Sequence, residues 1–170
     1  MLLLLACTAC GGRRMSERAA WWVDHVLPNV ATRQWVLTVP WSRRWLLARR
    51  PDLMCGVHRV AMRRIERWYA GQAGANGREA QTGSVTGVQR FGSALNLNLR
   101  FHIVSLDGVY TRGADGRLSF TRVGPHTADV EALVVAIAAS CEAWLAGQGF
   151  GPEEDGDGEE DDAQAVIQQA

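Results

Sequence analysis

Leu95, Leu97, Leu99 and Phe101 are apolar and alternate with Asn96, Asn98, Arg100 and His102. A β-strand turns successive side chains to opposite sides, so this period of two predicts a half-buried strand with one polar face. Such a strand constrains the rest of the chain. Its backbone edges need partner strands, and its apolar face needs a covering layer. Residues 85–91 read as a second strand, with Gly92 and Ser93 in the turn between them. The row of two Asn, one Arg and one His offers donors and acceptors to a polar ligand. It is equally the solvated face of an antiparallel sheet.

The flanking sequence supplies the covering layer. Residues 16–27 read as a helix that Ser16 can cap and Pro28 stops, with Ala19, Trp22, Val23 and Val26 at helical spacing. His25 lies on it, as a ligand or as a structural side chain. Residues 32–39 read as a strand ended by Pro40, and residues 41–50 as a short basic helix. Its tryptophans and arginines fit a surface for bases and phosphates. They fit equally a helix whose tryptophans pack inward while its arginines are solvated. The clearest amphipathic helix spans residues 51–69. Leu53, Val57, Val60, Ala61, Ile65 and Trp68 form its apolar stripe, and Arg59, Arg63, Arg64 and Arg67 lie elsewhere on it. That basic run is a solvated face or a contact for a DNA backbone. Cys55 and His58 lie three apart here, with no third ligand near them in sequence. Residues 71–83 read as a glycine-rich loop, Asp115 and Gly116 as a hairpin turn, and residues 118–123 as a return strand. A last helix, capped by Thr127 or Asp129, runs to about Gly147. Val130, Leu133, Val134, Ile137, Ala138, Cys141, Trp144 and Leu145 line its apolar side. The order of elements predicts an α+β fold: an antiparallel sheet covered by helices.

The 170 residues carry no net charge, but the balance is uneven. Residues 151–162 hold eight acids, and residues 1–150 hold all 18 basic residues against ten acids, a formal +8. Every basic residue is arginine, whose planar fork suits phosphate. A body of this charge suits an acidic polymer as partner. Residues 151–170 are expected to be a disordered acidic tail, either solvated or folded back on the arginine surface in competition with DNA. The sequence shows no apolar run long enough to span a bilayer, so a cytoplasmic protein with no membrane partner is expected.

The central stretch also carries a resemblance. Gln89-Arg90-Phe91-Gly92-Ser93-Ala94-Leu95-Asn96-Leu97-Asn98, followed by Phe101-His102 and Leu106-Asp107-Gly108-Val109-Tyr110, is similar to the signature of bacterial rolling-circle transposases of the two-tyrosine, His-hydrophobic-His (HUH) class. Residues 11–48 also resemble that family, and the likeness covers roughly residues 7–150 in the same order. It implies an HUH-like domain over 16–150, in which strand 32–39 pairs with the histidine strand. In the family the histidine pair holds Mg²⁺ or Mn²⁺ against the scissile phosphate of single-stranded DNA, and a tyrosine attacks it. Here the first histidine is replaced by Arg100 and His102 remains. Tyr69 and Tyr110 do not match the family's tyrosine motif, which lies further downstream. Arginine cannot ligate a metal but can hold a phosphate.

Cys7 and Cys10 resemble the last knuckle of the family's zinc-binding segment, with 1–15 as its remnant. Tetrahedral zinc needs four ligands, and one Cys-x-x-Cys supplies two. Two free cysteines are the plainer reading. Leu4-Leu5-Ala6-Cys7 also resembles a lipoprotein cleavage box, without a basic leader and with a short apolar run. The expectation is a truncated transposase-type protein that binds single-stranded DNA in transposition and is catalytically impaired. His102, Cys7 and Cys10 are its metal candidates. Arg100, Arg90, Asn96, Asn98, Arg43, Arg44, Arg63 and Arg64 are its DNA-binding candidates. The alternative is a non-enzymatic interaction protein or a decayed gene product.

Overall fold

The computed structural model describes Trp21, residues 25–75, 79–92 and 96–151. The chain builds β1 (Thr32–Thr38), α1 (Trp41–Arg49), α2 (Pro51–Gln72), β2 (Ser84–Phe91), β3 (Leu97–Leu106), β4 (Gly108–Arg112), β5 (Leu118–Arg122) and α3 (Thr127–Gly147). This is the expected α+β class. The alternating strand is β3, and it takes the centre of an antiparallel sheet in the order β1-β3-β2. Thr38 and Gln89 flank Arg100 across the sheet, and Val36 and Gly87 flank His102. Leu95, Cys7, Cys10 and most of the helix read over 16–27 lie outside the described residues. Of that helix, Trp21 and His25 are helical and their rings stack 5.3 Å apart.

The alternation of β3 sorts as its sequence dictates. Leu99, Phe101 and Ile103 are buried, while Asn98, Arg100, His102 and Val104 on the other face stay half-buried. The buried row meets Leu53, Val57, Ala61 and Ile65 of α2, which lie three to four residues apart and so share one helix face. Leu133, Ile137 and Leu145 of α3 complete this core beside α2.

One sequence reading is corrected here, the cap of the last helix. Residues 108–112 do not extend β3. The chain turns at Asp107, and β4 pairs with β5 in a separate two-stranded sheet whose turn holds Gly116 at φ +79°. The N-cap of α3 is His126, with Asp129 accepting the His126 backbone N–H at 2.9 Å from three residues inside the helix.

The contact between α2 and α3 closes over Gly56. A Cβ built there would overlap the Trp144 indole ring, so only a residue without one admits that ring. Gly56→Ala is expected to destabilise the protein by about 1–3 kcal/mol through overpacking, outweighing the roughly 1 kcal/mol that alanine gains in helix propensity. Urea denaturation of the two proteins measures the difference.

Candidate nucleic-acid interface

The open face of the sheet carries the polar row. Arg100 and His102 are two apart on β3, so both project from the same face. Arg100 Nε donates to Asn98 Oδ1 at 3.3 Å. Gln89 is oriented by donating from its amide to the Phe91 carbonyl at 2.9 Å, which leaves its Oε1 facing His102 Nε2 at 2.8 Å. The proton of that bond must therefore sit on His102 Nε2.

Of the two side chains, the Arg100 guanidinium cannot ligate a metal, and the His102 Nε2 is engaged with Gln89. Among the described residues no three His, Cys, Asp or Glu side chains gather as a metal site. His58 is elsewhere. It bonds Thr86 Oγ1 at 2.9 Å against the Phe101 ring, and burial lowers its pKa.

Helix α1 resolves the two readings of its tryptophans. Trp41 and Trp45 point outward, 66% and 62% exposed, and Arg43 and Leu47 turn inward. Trp41, Arg44, Trp45 and Arg49 fall on one helical face. The Arg44 guanidinium stands 5.6 Å from the Trp41 ring centroid, and that of Arg49 stands 4.5 Å from the Trp45 centroid. Arg44 also donates to the Val39 carbonyl at 2.9 Å and the Leu97 carbonyl at 3.4 Å, which seats this face at the entry of β3. Arg90 sits at the irregularity near the end of β2 and reaches the Ala48 carbonyl at 3.5 Å. Phe91 beside it is 56% exposed. One end of the sheet thus gathers Arg44, Arg49, Arg90 and Arg100 with Trp41, Trp45 and Phe91.

Arg43, Arg63 and Arg64 fall apart from this cluster, whereas Asn96 lies at the same end of the sheet. Arg43 is corrected from a surface residue to a structural one. It is 7% exposed, bonds Glu142 of α3 at 2.6 Å and donates to the Gly151 carbonyl at 3.0 Å. Arg63 and Arg64 are exposed on α2, the helix that packs on the covered face of the sheet, so they lie away from the open face. Arg64 donates to Ser140 Oγ at 2.8 Å. Asn96 is exposed at the start of β3 and accepts the Gly92 N–H through its backbone carbonyl at 2.9 Å.

Sequence reasoning missed a buried polar centre at Asp107. Its carboxylate, 2% exposed, accepts from Arg33 at 2.6 and 3.1 Å and from the Tyr69 hydroxyl at 3.0 Å, and lies 3.7 Å from Arg122. Burial alone would raise the Asp107 pKa, but Arg33, Tyr69 and Arg122 together hold it below the usual carboxylate range. Tyr69 is fully buried, and burial with the neighbouring Asp107 charge pushes its pKa up to about 12. A phenol so placed cannot serve as a nucleophile toward a polymer. Tyr110 lies in the β4–β5 hairpin with its ring 5.0 Å from that of Phe120. The one available signal for this centre was a lone Asp between two apolar strand stretches.

No protein-family model, curated protein or solved structure matches this chain. The fold is compatible with a soluble globular protein. One reading is amended: α3, at 21 residues, is long and apolar enough to cross a bilayer by length and composition, and 22% of its most apolar stretch is buried. Glu131 and Glu142 interrupt that stretch in the sequence. Here α3 packs on α2.

Asp107 gives a pH signature. Its folded pKa is depressed, so its contribution is full above the unfolded value near 4 and is lost as pH falls through the folded value. Asp107→Asn is expected to lose about 2–3 kcal/mol at pH 7 and to flatten the decline in stability below about pH 4. Tyr69 acts in the opposite direction. Its raised pKa stabilises the fold below about pH 10, and that contribution fades as pH climbs toward 12. Melting temperatures of wild type, Asp107→Asn and Tyr69→Phe across pH separate the two.

Proposed function

We propose that this chain is a DNA-binding protein of the rolling-circle HUH transposase type, acting in DNA transposition by holding single-stranded DNA. The observation that carries the reading is the clustering of four arginines and three exposed aromatic rings at one end of the sheet. Single strands are held by charge along the backbone and by bases stacked on aromatic faces, and this edge offers both. Trp41 and Trp45 are one helical turn apart, with guanidiniums already over their rings. Arg100 adds a phosphate donor on the open sheet face, where the family would place a metal ligand. Strand cleavage is not assigned to this chain: the described residues hold one imidazole of the pair and no exposed tyrosine beside it.

A second reading is a non-enzymatic interaction protein. It rests on the exposed Val134 and Val135 of α3 and on a cavity of about 410 Å³ between α3, α1 and β1.

Fluorescence anisotropy with a labelled single-stranded oligonucleotide separates the readings. Affinity is expected to fall steeply as salt rises. Trp45→Ala is expected to weaken binding by about 1–3 kcal/mol, and Arg63→Ala far less. Arg100→His with Mn²⁺ tests for a latent metal site. No binding by wild type at low salt would leave the interaction-protein reading.

A further inference from the structure

We propose that the acid-rich segment 153–162 docks in cis on the tryptophan–arginine face of α1 and competes there with polynucleotide. The docking stands on the fold, while the competition rests on the function proposed above.

The first support is where the chain is led. After α3, Gly149 at φ +88° reverses the backbone, and the Phe150 N–H bonds the Leu145 carbonyl at 2.9 Å. The Phe150 ring lies 5.4 Å from the Arg50 guanidinium, and the Gly151 carbonyl accepts from Arg43 at 3.0 Å. Arg43 lies on the inward side of α1 and Arg50 directly follows the helix, so the chain is delivered beside that helix and has to pass round it to reach the tryptophan–arginine face. The next residue is Pro152, and eight of the following ten are acids. An extended stretch covers about 3.3–3.6 Å per residue. Ten residues therefore reach past α1, which is only about 14 Å long.

The second support is charge. Helix α1 contains no acid. Among the described residues no carboxylate pairs with Arg44, Arg49, Arg90 or Arg100, whose contacts go to carbonyls, Asn98 and indole rings. By contrast Arg33, Arg43 and Arg50 each have a carboxylate within 2.7 Å. Arg59, Arg67 and Arg112 likewise pair with no carboxylate among the described residues, but they lie on α2 and in the β4–β5 hairpin, whereas the chain leaves Gly151 beside α1. Carboxylates match the charge of a polynucleotide but cannot stack on Trp41 and Trp45. The segment's hold is therefore electrostatic and salt-labile, whereas a bound single strand keeps its stacking.

The test uses the full chain and a variant carrying Glu153→Gln, Glu154→Gln, Asp155→Asn, Asp157→Asn, Glu159→Gln, Glu160→Gln, Asp161→Asn and Asp162→Asn. A nitroxide on Ala163→Cys, with the four native cysteines changed to serine, reports contact without any nucleic acid. At about 50 mM salt it is expected to broaden the indole N–H signals of Trp41 and Trp45, and at about 0.5 M salt or in the neutralised variant to leave them sharp. Anisotropy with the single-stranded oligonucleotide is expected to show the neutralised variant binding on the order of tenfold tighter at low salt, with the gap closing at high salt. Sharp indole signals in wild type at low salt would overturn the docking. Broadening with equal affinity of the two proteins would overturn the competition. Broadening with no oligonucleotide bound by either protein would uphold the docking while removing the nucleic-acid function.

Discussion

A buried carboxylate holds the fold's junction together. Asp107 stands between β3 and β4, and its contacts run to β1 through Arg33, to α2 through Tyr69 and to β5 through Arg122. Its backbone N–H bonds the Ala31 carbonyl, and its carbonyl accepts from the Val123 N–H. Burying a charge is costly unless its hydrogen-bonding capacity is met. Here it is met by partners from three elements, so no one of them can shift without stranding the charge. The sharp turn after Asp107 needs Gly108 as well, where a Cβ would collide with the Thr121 carbonyl oxygen and the Phe120 ring. The Asp-Gly pair thus divides what would be one long strand into two strands in different sheets.

The sequence was most readable where a period had length. The alternation of β3 and the three-four stripe of α2 each named their buried residues, because a single geometric repeat sorts a whole row of side chains at once. It was least readable where one residue's fate depends on distant partners. Nothing local distinguishes Arg43 from Arg44. Their difference comes from Glu142 and Gly151, about a hundred residues away in the chain. The two tryptophans of α1 were ambiguous for the same reason, since a helix of nine residues is too short for its own pattern to show which side faces inward. Asp107 reads in the sequence only as one member of the Leu106–Tyr110 stretch. Its role follows from Arg33 and Tyr69, 74 and 38 residues away.

Of the candidate site, the geometry of Arg100 and His102 on one face was legible, because spacing alone fixes it. The aromatic component was legible only in outline. What the fold adds is the meeting of α1 with the ends of β2 and β3, through Arg44 on the Leu97 carbonyl and Arg90 on the Ala48 carbonyl. Those bonds bring a charged helix face beside a polar strand row, although 41 residues separate Arg49 from Arg90 in the sequence. Arg63 and Arg64 belong to the same overall charge but not to the same surface.

The buried Arg43 has a consequence for how α1 tolerates change. A helix this short has little stability of its own and takes its orientation from what anchors it. The anchor is Arg43 with Leu47 on one side, and each residue along a helix turns the side chain by about 100°. The segment before it is two residues, Val39 and Pro40, between β1 and α1. Adding or removing one residue there would index the helix to a new azimuth, driving an indole toward the core and lifting the guanidinium of Arg43 away from Glu142. The aromatic face is therefore set by the length of a two-residue linker as firmly as by the identity of its tryptophans. Substitutions on that face leave the helix in place, whereas insertions ahead of it rotate the whole surface out of register.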